Sequence, residues 1–256
     1  MPKLAANLSM MFGEVPFLER FGRAAAARFR GVEYLFPYEH EAGAIATLLE
    51  QHQLAQVLFN MPPGDWAAGE RGIASLAGRE SEFRDGVAKA IGYARSLHCA
   101  SVHAMAGIAD DADAMNVTRY VTNIQYAADE LSKHQLRLML EPINRRDIPG
   151  FFLHTTAQAQ GLMKRIARPN VFLQLDLYHA QVSEGDLEQK IRDLAAITGH
   201  VQIAGNPKRN EPNIGEVNYG HLLHVLDEIG YAGWVGCEYR PAGDTVAGLG
   251  WATTYL

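Results

Sequence analysis

The feature that most constrains this chain is alternation. A short β-like run and a longer helical pattern follow one another from end to end. The runs are Leu4 to Asn7, Gly31 to Phe36, Val57 to Phe59, Ser101 to Ala104, Leu136 to Leu140, Val171 to Leu173, Val201 to Ile203 and Trp234 to Cys237. Between them, apolar residues recur at helical spacing, as in Phe83, Val87, Ala90, Ile91 and Ala94, or Tyr120, Ile124, Ala127 and Leu131. Further helices are expected over 156–168, 186–198 and 219–229. Eight strands and about eight helices in strict alternation imply right-handed crossovers and a parallel sheet. In 256 residues with no Pro/Gly/Ser linker, that favours one α/β domain over 1–256, a single (β/α)8 TIM barrel. The rival, a doubly wound open sheet, usually announces a glycine-rich turn after its first strand. Here that turn reads Asn7-Leu8-Ser9-Met10.

Composition removes several function classes. The net charge of −6 is unsuited to generic nucleic-acid binding, which needs a basic surface to release counterions. No apolar run approaches the ~18–20 residues that span a bilayer, and the N-terminal stretch lacks the pattern of a secretion signal. Cys99 and Cys237 are the only cysteines and form no metal-binding pair. A reducing, cytoplasmic setting is the expectation.

Barrel enzymes carry their chemistry at the C-terminal ends of the strands. Strand five ends Leu140-Glu141-Pro142, strand six runs into Asp176 with His179 beyond, strand seven holds Gln202, and strand eight ends Cys237-Glu238. Each residue alone has a plain reading; Asp176, for one, suits a helix cap. Together, three carboxylates on one rim would repel one another in a partly buried site. A divalent cation removes that conflict, and an all-oxygen donor set suits Mg²⁺ or Mn²⁺. Glu141, Asp176, Gln202 and Glu238 are therefore the expected ligands. The long polar loop from Pro62 to Gly78, with Trp66, Glu70 and Arg71, is placed to cover the mouth. Trp251 either closes the other side or packs on a helix.

At these residues the chain resembles the hydroxypyruvate isomerase family, within the xylose-isomerase-like barrels. The resemblance runs over nearly the whole chain. It is carried by Ala6-Asn7-Leu8-Ser9-Met10, by Gly64-Asp65-Trp66 through Gly72, and by Glu141-Pro142-Ile143-Asn144 with Asp147-Ile148-Pro149-Gly150-Phe151. Asp176-Leu177-Tyr178-His179 and Gly236-Cys237-Glu238-Tyr239 complete it. The resemblance implies a metal held by the four residues above, with Glu141 and Glu238 as proton donor and acceptor. It also implies His179 and Arg209 on substrate oxygens. Lys208 and His103 are further substrate-binding candidates, because an anionic hydroxy-oxo acid needs polar partners in an acidic protein. The implied reaction interconverts hydroxypyruvate and tartronate semialdehyde. The alternatives are a 2-oxo-tetronate isomerase, a related sugar epimerase and, outside enzymes, a metal- or carbohydrate-binding barrel. A homo-oligomer is compatible with the fold. Gly205, where many relatives carry Asp, and Asn213 depart from the family pattern in the loop after strand seven.

Overall fold

A computed structural model describes all residues, 1–256. Eight parallel strands close into a barrel in sequence order, β1 next to β8. They are β1 (Lys3–Asn7), β2 (Gly31–Tyr34), β3 (Ala55–Asn60), β4 (Ser101–His103), β5 (Arg137–Leu140), β6 (Val171–Asp176), β7 (Thr198–Ile203) and β8 (Trp234–Cys237). The helices are α1 (Phe17–Ala26), α2 (Ala42–His52), α3 (Glu80–Ser96), α4 (Ala114–Ser132), α5 (Thr156–Ile166), α6 (Leu177–Ser183), α7 (Leu187–Leu194) and α8 (Tyr219–Glu228). No helix is long and apolar enough to cross a membrane.

The expected alternation is thus present, with three differences beyond shifts of a few residues at element ends. The helix expected over 186–198 is the shorter α7, and Thr198 already belongs to β7. Strand β6 reaches Asp176 as expected, but Asp176 then caps α6, an additional seven-residue helix too short to show a periodic pattern. A 3-10 turn over Ala247–Ala252 closes the chain, and Trp251 packs there edge-on to Tyr239 rather than over the mouth.

Two apolar cores hold the fold. The larger one, of 66 buried residues, fills the space between strands and helices. The helices supply it with one face each: α3 buries Phe83, Val87, Ala90, Ile91 and Ala94 and turns charged residues outward. The smaller core is Ala5, Val57, Leu58 and Met139, four buried residues on the strands. Side chains alternate along a strand, so residues two apart share a face: Ala5 with Asn7, Met139 with Glu141, Gln174 with Asp176, His200 with Gln202, and Gly236 with Glu238. All five pairs are buried or lie on buried strand positions. Above its small apolar floor the barrel is therefore lined by polar side chains.

Candidate active site

The polar upper layer opens into a cavity of about 840 Å³, lined among others by Glu33, Glu141, His179, Gln202, Arg209 and Glu238. Each expected residue has a local reason for its position. Asp176 ends β6 and its Oδ1 caps α6, accepting from the Tyr178 backbone N–H at 2.7 Å. That leaves Oδ2 buried and without a partner. Glu141 follows β5 directly; its Oε1 is likewise buried and unpartnered, and its Oε2 lies 3.6 Å from His103 Nδ1. Glu238 follows β8, with Arg209 Nη2 at 3.1 Å from Oε1 and the Gln202 amide nitrogen against Oε2. Donor atoms of Glu141, Asp176 and His179 lie within 4.8 Å of one another.

Two unsatisfied carboxylate oxygens in one buried place are costly unless something positive meets them. A hard divalent cation fits this donor set. Gln202 adds its carbonyl oxygen, which accepts one hydrogen bond from Gln174 Nε2 at 2.6 Å and keeps a second lone pair.

His179 is better suited to substrate than to metal. Asn144 Oδ1 accepts from the Asp147 backbone N–H at 2.8 Å, so the amide nitrogen must face the imidazole; it meets Nδ1 at 2.6 Å. The ring proton therefore sits on Nε2, which points toward Glu141 and Asp176 at 3.8 and 3.6 Å. Burial, with Arg209 and Arg146 nearby, holds the His179 pKa well below its ordinary value, so the ring is neutral. Arg209 stretches across the site between Glu238, Asp176 (3.5 Å) and Asp147 (3.7 Å), above the Tyr178 ring. Lys208 lines the outer wall and is exposed. His103 does not reach the cavity wall. It stands behind Glu141, its Nδ1 3.2 Å from Asn60 Oδ1, and burial lowers its pKa to about 3.

Electrostatics set the carboxylates apart from ordinary ones. Burial, then the neighbouring Glu238 and Asp176, push Glu141 well above the usual carboxylate range. Burial raises Glu238 to about 8, although Arg209 pulls the other way. Asp176 is raised too, again chiefly by burial. Groups poised this way can carry a proton at neutral pH.

The loop from 62 to 78 reaches the cavity through Trp66 and Arg71. Trp66 packs edge-on against Phe36 at 5.0 Å, and the Arg71 guanidinium lies 3.8 Å over the indole. The departure at Gly205 also has a physical cause. A Cβ there would stand 2.4 Å from the carbonyl oxygens of both Glu211 and Ile214. The chain folds back so tightly that only glycine fits, and the Gly205 carbonyl accepts the Arg209 N–H at 2.7 Å. Gly205→Ala should destabilise the protein by ~1–3 kcal/mol, as overpacking does, and raise KM by displacing Arg209. A melting curve and substrate titration check both; unchanged values would separate the loop from the site.

Glu33, Gln174 and His200 were not singled out from sequence, yet they form the layer beneath the site. Their signal was polar residues spaced by two within otherwise apolar strands, as in Leu173-Gln174-Leu175-Asp176 and His200-Val201-Gln202.

Known proteins with this architecture share more than the barrel. The family model described as "Xylose isomerase-like TIM barrel" matches residues 21–255. The chain belongs to the xylose isomerase-like TIM barrel family. Within that family it is 49% identical to a 2-oxo-tetronate isomerase of Cupriavidus necator, covering 100% of this chain and 99% of that one. It is 46% identical to the hydroxypyruvate isomerase of Escherichia coli, covering 100% of both. A crystal structure of an AP endonuclease, family 2, from Brucella melitensis is 54% identical. It superposes with a TM-score of 0.98 over 100% of this chain and 99% of that one. An L-ribulose 3-epimerase structure, 20% identical with a TM-score of 0.78, shares the fold.

Proposed function

We propose that this isomerase interconverts hydroxypyruvate and tartronate semialdehyde by proton transfer through an enediolate, with Glu141 and Glu238 as the acid–base pair. The observation that carries this reading is that two buried carboxyls from β5 and β8, both shifted up by burial, face one polar cavity. Full-length identity to isomerases places the chain among enzymes rather than passive binders. A nucleic-acid substrate does not suit a net charge of −6.

Glu141, Asp176, Gln202 and Glu238 would hold a divalent cation, Mg²⁺ or Mn²⁺, whose Lewis acidity stabilises negative charge developing on the substrate oxygens. The protein's own groups do the rest. Arg209 and the exposed Lys208 attract the substrate carboxylate, and Arg209 also balances the acidic cluster. Neutral His179 donates from Nε2 to a substrate oxygen, its ring fixed by Asn144. His103 packs behind Glu141, with its Nδ1 3.6 Å from that carboxyl. One glutamate takes the proton from the carbon next to the carbonyl, and the other returns a proton to the neighbouring carbon. Such assistance is worth ~10²–10⁴-fold per transfer. Trp66 and Arg71 narrow the mouth and limit water. The unpaired, buried thiols of Cys99 and Cys237 fit a reducing compartment, the cytoplasm in this reading.

A second reading, isomerisation of a four-carbon 2-oxo-tetronate, is favoured by the 49% identical relative of that name. Comparing kcat/KM on the two substrates tests the choice. The first reading expects a preference for hydroxypyruvate of ~10-fold or more, since one added carbon in a fitted pocket changes discrimination by that order. A reversed preference replaces it with the second, and turnover of neither removes both.

A further inference from the structure

Glu33, on β2, lies at the foot of the cavity and is 1% exposed. Both of its oxygens are engaged. Oε1 accepts from Asn7 Nδ2 at 3.0 Å and from Gln202 Nε2 at 2.8 Å. Oε2 accepts from His200 Nε2 at 2.7 Å. The same Gln202 nitrogen also donates to Glu238 Oε2, while Gln174 donates to the Gln202 carbonyl. An amide has two N–H donors at one end and an acceptor at the other. Here both hydrogens meet carboxylates and the oxygen meets a donor. Turning the amide over would set its oxygen against the Glu33 oxygen that already accepts from Asn7, and its nitrogen against the Gln174 donor. Glu33 thus fixes which end of Gln202 meets Glu238.

The fit depends on β8 as well. A Cβ at Gly236 would lie 2.3–2.5 Å from the Glu33 carboxyl group. The strand that carries Glu238 therefore lacks a side chain two residues earlier, where Glu33 needs the room.

We propose that Glu33 is a positioning residue for one of the two proton transfers: through the Gln202 amide it holds Glu238, and it does not touch Glu141. This rests on the isomerase reading. In the forward direction a carboxylate takes a proton from C3 of hydroxypyruvate. The C–H pair becomes the C2–C3 double bond, and the carbonyl pair moves onto the C2 oxygen. The C3 hydroxyl proton then passes to the C2 oxygen, its O–H pair forms the aldehyde carbonyl at C3, and the C2–C3 double-bond pair takes up a proton at C2. The two transfers occur at different carbons and are shared between two glutamates. A defect confined to Glu238 slows exchange at one carbon; general loss of fold or metal slows both.

The test uses full-length wild type, Glu33→Gln and Gly236→Ala in D₂O with saturating Mn²⁺. Deuterium entry is followed by NMR at the CH₂ of hydroxypyruvate and at the CHOH of tartronate semialdehyde. Calorimetric Mn²⁺ titration of the same samples gives a readout independent of turnover. In Glu33→Gln one exchange should slow by ~10–100-fold and the other by less than ~3-fold, and Mn²⁺ should bind ~10-fold or more weakly as Gln202 loses its anchor. Gly236→Ala, which displaces Glu33 without removing a polar group, should give the same asymmetry, and it carries the test if Glu33→Gln does not fold. Equal slowing of both exchanges, slowing of neither, or unchanged Mn²⁺ affinity overturns the proposal. Absence of exchange at either carbon in wild type instead removes the isomerase reading on which it rests.

Discussion

Glu238→Gln is expected to lower kcat by ~10²–10⁴-fold, and Glu141→Gln by a similar factor, with the fold intact. The two transfers occur in series, so loss of either carboxyl blocks the whole conversion. Glutamine keeps the volume of each side chain. Like the protonated carboxyl that burial favours at both positions, it carries no charge. Thermal melting should therefore change by a few degrees at most while turnover collapses. Steady-state rates and melting curves on both variants check this together. Retention of activity within ~3-fold in either variant would end its role as acid or base.

The second large effect concerns pH and metal. With metal removed by a chelator, stability should fall as pH rises from about 4.5 to 8. In that window Glu238, raised to about 8 in the fold, keeps a proton that the unfolded chain has already lost. The folded state then binds more protons than the unfolded one, and stability declines with pH. Glu141 and Asp176 shift in the same direction and add to the slope. A bound dication favours the ionised carboxylates, so stabilisation by Mg²⁺ or Mn²⁺ should grow with pH. At pH 8 it should amount to roughly 5–10 °C in Tm for a chain of this size. Melting curves at pH 5, 6.5 and 8, with chelator or with Mn²⁺, measure it. Equal stabilisation at all three values would contradict the placement of the metal among these carboxyls.

The barrel was legible because its two periodicities differ. Apolar residues at helical spacing in α3 and α4 and the short β-like runs between helices leave few other topologies. Glu141, Asp176 and Glu238 were legible because each stands at a strand end, where charge is conspicuous. Segment α6 was not, since a helix of two turns has no period to detect; only Asp176, as its cap, marks it. The underlying layer was hidden for a different reason. Glu33, Gln174 and His200 lie inside strands, where a polar residue normally argues for a solvent-facing side. In this barrel that side is the interior, which the sheet's closure alone turns away from water. His103 shows the same limit: its place at the end of β4 was readable, but its partner, Glu141, depends on the pairing of β4 with β5.

The most direct test of the account is anomalous diffraction from crystals loaded with Mn²⁺. A single strong peak in contact with Glu141, Asp176, Gln202 and Glu238 is the expected result. A peak elsewhere, or one that leaves the two glutamates untouched, would contradict the claim that these strand ends form one metal-assisted proton-transfer site.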